Sequence, residues 1–129
     1  MAFDLNNKFT ITDIQQACCG ELQTYLPQKG FIILAGCFNR ELNPDCPTQI
    51  QAGSLPKVIE KAKLLKSQPQ TIFPVFTKET ENDKYYTYVG QFRCKSASNN
   101  KELIQEAELK SGRHGKISYL LNLEKVSNT

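Results

Sequence analysis

The chain has 129 residues, 40% hydrophobic and 22% charged, with a formal net charge of +3 at pH 7. These values fit one globular domain with a real core and exclude collagen-like and disordered classes. The longest apolar run, 31–38, is strand-sized and broken by Gly36, so no membrane span is expected. The N-terminus MAFDLNNKF lacks a basic region followed by an apolar stretch, and a cytoplasmic protein is expected.

In chain order, TDIQQACCGEL (12–22) predicts a short helix, with Thr12 as N-cap, Gln15 at the capping-box position and Gly20 as stop. GFIILAGCFN (30–39) reads as one buried strand, nearly all apolar. RELNPDCPTQIQAG (40–53) reads as a long irregular loop, the kind that often carries function. SLPKVIEKAKLLK (54–66) predicts a helix capped by Ser54, with Pro56 in its first turn. Its apolar stripe is Val58, Ile59, Ala62 and Leu65, and its lysines lie mostly off that stripe.

TIFPVFTK (71–78) is a second strand, in which Pro74 implies an edge position or a bulge. ETENDK (79–84) is a polar hairpin turn, followed by the antiparallel partner strand 84–95. In that strand Tyr86, Tyr88, Gly90, Phe92 and Cys94 fall in one row, because successive side chains alternate between faces. NNKELIQEAELKSG (99–112) predicts a helix capped by Ser98 or Asn99 and stopped by Gly112. KISYLLNLEKV (116–126) is the last strand, with Ile117, Tyr119, Leu121 and Leu123 on one face. The order α-β-α-β-β-α-β with a central hairpin excludes a regular doubly wound fold. It predicts an α+β domain with a curved mixed or antiparallel sheet, barrel-like, flanked by about three helices.

Catalytic patterns are scarce. No glycine-rich phosphate loop is present. His114 sits in SGRHGK, a glycine-flanked polar turn that nothing ties to a cysteine, and ETEND suits a solvated hairpin tip better than a metal site. The five cysteines make no Cys-x-x-Cys pair, so reduced structural thiols are expected rather than zinc or disulfides. No cofactor, no metal and no enzymatic activity are expected within this chain.

Binding features are better represented. Gly90 removes a side chain from the aromatic row and leaves a slot that another backbone, a core side chain or a planar ligand would fill. Base stacking and core packing both explain such a row. Tyr86 and Tyr88 suit a pocket rim because each hydroxyl wants a partner, and Phe92 suits the core. Asn39, after the apolar strand, offers the donor and acceptor that a base edge asks for, and Arg40 beside it can stack or hold phosphate. A loop held by its own Asn and Asp side chains explains the same stretch equally well. The basic cluster Lys110, Arg113, His114 and Lys116 attracts phosphate or simply complements a helix C-terminus. Residues 84–129 hold 8 Lys+Arg against 4 Asp+Glu, whereas residues 1–83 hold 8 against 9, so the C-terminal third is the basic part.

Taken together, the apolar strand ending in AGCFN, the NPDCP loop, the PVF strand, the YxYxGxF strand and SGRxGKIS before the last strand resemble the PUA-like superfamily. The nearest members are its modified-base readers of modification-dependent restriction systems, of the SRA, EVE and YTH-like kinds. The resemblance spans roughly residues 30–125 of a single domain 1–129. It implies double-stranded DNA with a modified base as partner, the base flipped into an aromatic pocket, and a fused or separate nuclease for cleavage. By position it implies Tyr86 and Tyr88 as pocket walls, Phe38 and Asn39 as floor or edge, and Asp45 as acceptor for an exocyclic amine. Arg40, Arg93, Arg113 and Lys116 become backbone contacts. The chain departs from these readers in having no tryptophan and no nuclease of its own. A non-catalytic protein-interaction or small-ligand domain is the alternative.

Overall fold

The computed structural model describes residues 3–18 and 24–128. Its elements are β1 (Lys8–Phe9), α1 (Ile11–Cys18), β2 (Gln28–Lys29), β3 (Ile32–Ile33), β4 (Gly36–Asn39), β5 (Gln49–Gly53), α2 (Pro56–Lys66), β6 (Phe73–Lys78), β7 (Tyr86–Ser98), α3 (Lys101–Ser111) and β8 (Ile117–Ser127). The fold is α+β, as expected, with three helices and a six-stranded mixed sheet in the order β4-β6-β7-β8-β5, β1 pairing with the start of β7. β4 and β6 are parallel and the other pairs antiparallel. The sheet path ends at β4 and β5, so no closed barrel forms. Both end strands are covered by side chains or coil, which keeps their free amides from recruiting another chain. The Cys37 amide donates to the Tyr25 carbonyl and the Gln51 amide to Asn43 Oδ1.

Local chemistry accounts for the element ends and corrects several expectations. α1 begins two residues earlier than expected. Thr10 caps it, its Oγ1 accepting from the Asp13 amide while Asp13 Oδ2 accepts from the Thr10 amide. A reciprocal Thr–Asp box therefore replaces Thr12 and Gln15. The expected stop, Gly20, lies outside the described residues. α2 starts with Pro56 in its first turn but carries Leu55, not Ser54, at the N-cap, with no side-chain cap. α3 is capped by Asn100, one residue past the expected Ser98 or Asn99, and ends at Gly112 in the left-handed conformation (φ 75°).

Two strand assignments change. The run 30–39 is not one strand. It folds back as a β2–β3 hairpin with Gly30 and Phe31 at the turn, and β4 follows. Gly30 adopts φ 59° at the first turn position, which a two-residue hairpin loop favours. The expected loop 40–53 contains β5, whose sequence QIQAG carries little β-propensity and is held by its antiparallel register with β8. Pro74 lies in an interior strand rather than an edge one. It precedes the segment of β6 paired to β4, next to a register shift between Val75 and Phe76, so its missing N–H breaks no β4 ladder bond.

The row in β7 is split at Gly90. Phe92 and Cys94 join the main core with Phe38, Phe73, Val75 and Leu121, packed beneath α2. Tyr88 instead joins a second core with Phe3, Ile14, Ala35, Cys37 and Phe76, against which Tyr86 packs. Gly90 has φ 122°, and a Cβ there would lie 2.7 Å from Lys125 Cε and 2.8 Å from the Ser127 carbonyl. The slot foreseen at Gly90 is thus filled by the end of β8, not by a ligand.

Candidate functional site

The structure sorts the sequence-derived candidates into three groups. Tyr88 and Phe38 are core residues, 0% and 1% exposed, and are corrected from pocket wall and floor. Tyr88 is enclosed by Phe3 and Phe76, ring centroids 5.4 Å away in each case, and its hydroxyl accepts from Gln91 Nε2 at 2.9 Å. Phe38 points to the opposite side of β4 from Cys37, into the main core.

The second group has intramolecular partners. Arg113 is half-buried, its Nη1 donating to the carbonyls of Leu42 (3.0 Å) and Gln51 (2.9 Å). It braces the 40–48 loop against the α3–β8 connection. Burial lowers its pKa. Arg93 pairs with Glu124 at 2.6 Å, and Arg40 pairs with Glu79 at 3.2 Å while donating to the Cys46 carbonyl. Asp45 accepts from Lys110 at 2.9 Å, in a shallow cleft between α3 and β8. The sequence could not show these pairings, because each joins residues distant along the chain. Lys116 is exposed in the turn after α3, outside the clefts described here.

Only Tyr86 and Asn39 come together. They line a cleft of about 680 Å³ between the start of α1, the end of β4 and the β6–β7 hairpin. Tyr25 and Cys37 form its inner wall, with Thr10 and Thr12 at the α1 side and Lys78 and Lys84 at the hairpin side. β4 delivers Cys37 and Asn39, which share a strand face by the alternation rule. Tyr86 stands where β7 begins, paired to Phe9 of β1 and half-buried. Burial, with smaller contributions from Cys37 and Glu81, pushes its hydroxyl up to about 12. Lys78 Nζ lies 4.7 Å from the Tyr86 ring centre and donates to the carbonyls of Glu81 (2.9 Å) and Asp83 (3.1 Å), which fixes the hairpin tip over one ring face. Asn39 Oδ1 accepts from the Leu42 amide at 2.8 Å, so its amide orientation is set.

Sequence reasoning missed Tyr25 and Lys78. Tyr25 stands in an isolated coil segment with no periodic signal, and Lys78 reads as the exposed end of a strand. The Tyr25 hydroxyl donates to the Val58 carbonyl at 2.7 Å, and burial raises its pKa.

Burial raises the Cys37 thiol, and the Cys46 thiol to about 11, so both are neutral thiols near pH 7. His114 is exposed in the turn after α3. Among the described residues, no three His, Cys, Asp or Glu side chains gather as a metal site, and Cys37, Cys46 and Cys94 are free thiols. No helix is long and apolar enough to cross a membrane among the described residues. No family model, curated protein or solved structure matches the chain.

Proposed function

We propose that this protein is a non-catalytic binding module that takes a base of a nucleic acid into the cleft between Tyr86 and Asn39. The finer reading is a modified base turned out of double-stranded DNA, in a cytoplasmic restriction or defence system whose nuclease is a fused or separate partner. One observation carries the proposal. An aromatic ring and a side-chain amide from two strands line one cleft of ligand size, with Lys78, Glu81, Asp83 and Lys84 at its hairpin side. Tyr86 supplies a ring for stacking, Asn39 a polar edge, and Lys84 a cation for the phosphate that accompanies a base. The sequence motifs similar to PUA-like readers, and the curved sheet they imply, are the second support.

The internal partners of Arg40, Arg93 and Arg113 favour a second reading, a small-ligand or protein-interaction domain using the same cleft. With those arginines engaged, three of the four residues expected to contact the nucleic-acid backbone have internal partners. Equilibrium binding separates the two. Short labelled duplexes, plain or carrying methylated or hydroxymethylated cytosine or methylated adenine, are titrated at two salt concentrations beside RNA. The base reading expects one modified duplex to be preferred at both salts, with Tyr86→Ala weakening it by about 1–3 kcal/mol, the worth of one stacked base. Weak binding to all polyanions that vanishes with salt, or none at all, would replace it with the second reading.

A further inference from the structure

A second surface stands apart from the cleft. The β2–β3 hairpin closes through Gly30 and Phe31, leaving Phe31 83% and Ile32 52% exposed at its tip. A buried glutamine fixes what lies beside it. Gln68 Oε1 accepts from the Ile33 amide at 2.9 Å, and its Nε2 donates to the Phe31 carbonyl at 2.7 Å. Gln68 directly follows the C-terminus of α2, so the hairpin tip and the last turn of that helix share one end of the molecule. The turn after it, closed by the Thr71 amide on the Gln68 carbonyl, delivers Ile72, 53% exposed.

Among the described residues the charge at this end is mostly positive. Segments 24–40 and 61–78, which build it, contain no Asp or Glu. They contribute Lys29 in the hairpin and Lys63 and Lys66 in the last turn of α2, all exposed. Glu60 stands three residues before Lys63, beside it on α2, and six before Lys66, and Glu124 of β8 is paired with Arg93. Exposed apolar side chains in such a cluster mark a contact surface. A second copy of the chain would bring like charges together. The apolar groups stand on a protruding turn rather than in a groove, a shape that enters a deformable medium.

We propose that this end docks on an anionic lipid bilayer, Phe31 and Ile32 entering the headgroup layer while Lys29, Lys63 and Lys66 meet lipid phosphates and carboxylates. Interfacial binding of this kind combines apolar insertion with attraction to anionic lipid and requires no membrane-spanning segment. It needs no spanning segment, in keeping with the expectation from the sequence, and it stands independently of the cleft.

The test is co-sedimentation of the full chain with vesicles of phosphatidylcholine alone or with one-third phosphatidylserine. Binding is expected only to the anionic vesicles, weakened at least tenfold by the double variant Phe31→Ser with Ile32→Ser, and similarly by Lys29→Glu with Lys63→Glu. These four side chains are exposed, so unchanged thermal melting is expected and separates lost docking from lost folding. Absence of binding to anionic vesicles overturns the proposal. So does binding that survives the Phe31 and Ile32 changes, or equal binding to soluble polyglutamate, which would mark an acidic polypeptide as the partner.

Discussion

Replacing Tyr88 by alanine separates the two roles that a tyrosine in β7 can have. The residue is fully enclosed, with Phe3 and Phe76 at ring distances that permit favourable tilted contact. Truncating a buried aromatic side chain costs about 3–5 kcal/mol. Each lost ring pair and the abandoned Gln91 amide, which donates to the Tyr88 hydroxyl, sit at the upper part of that range. Since a domain of this kind is stable by roughly 5–15 kcal/mol, the variant loses a third or more of its margin. With a urea dependence of about 2 kcal/mol per molar, the midpoint falls by about 2 M. Urea unfolding followed by circular dichroism reads this directly, with Tyr86→Ala, a half-buried ring at the cleft, as the control expected to shift much less. A Tyr88→Ala protein with an unmoved midpoint and lost ligand binding would refute the core assignment and return Tyr88 to the pocket wall.

Arg113→Met removes the donor to the Leu42 and Gln51 carbonyls and is expected to destabilise by about 2 kcal/mol, while the salt dependence of any nucleic-acid binding stays as it was. A flatter salt dependence with unchanged stability would restore Arg113 as a phosphate contact. At alkaline pH the folded-state pKa values of Cys46 and Tyr86 are raised, from 9.0 to about 11 and from 10.0 to about 12, so the unfolded chain releases these protons first. Stability from these groups is therefore level below pH 9 and lost as the pH climbs through 9 to 12. Urea midpoints measured at pH 8 and pH 10.5 check the sign, and an equal or higher midpoint at pH 10.5 would contradict it.

What the sequence made legible follows from the range of the forces involved. Helices α2 and α3 were readable because periodicity, Pro56 and Gly112 are local signals. The β6–β7 hairpin was readable because its polar turn separates two apolar strands. β5 was not, because QIQAG is strand only through its pairing with β8. The run 31–38 misled because apolar content does not reveal a turn placed at Gly30 and Phe31, where the exposed Phe31 contradicts its own hydrophobicity. At the site, Tyr86 and Asn39 were visible as residue types, but their meeting depends on β4 and β7 flanking β6. The arginines looked available because their acceptors, Leu42, Gln51, Glu79 and Glu124, lie on other segments.

The second core also sets an order of events during synthesis. Its lid comes from residues far upstream of β6 and β7, Phe3 packing edge-on to Phe9 and Phe76 and tilted on Tyr88. Phe3 and Phe9 leave the ribosome long before β6 and β7 exist, and a contact so distant along the chain closes late. Until Phe76 and Tyr88 emerge, Phe3 and Phe9 lack those ring partners. A fragment restricted to residues 30–125 would never acquire that lid, and would keep Phe76 and Tyr88 open to water for good.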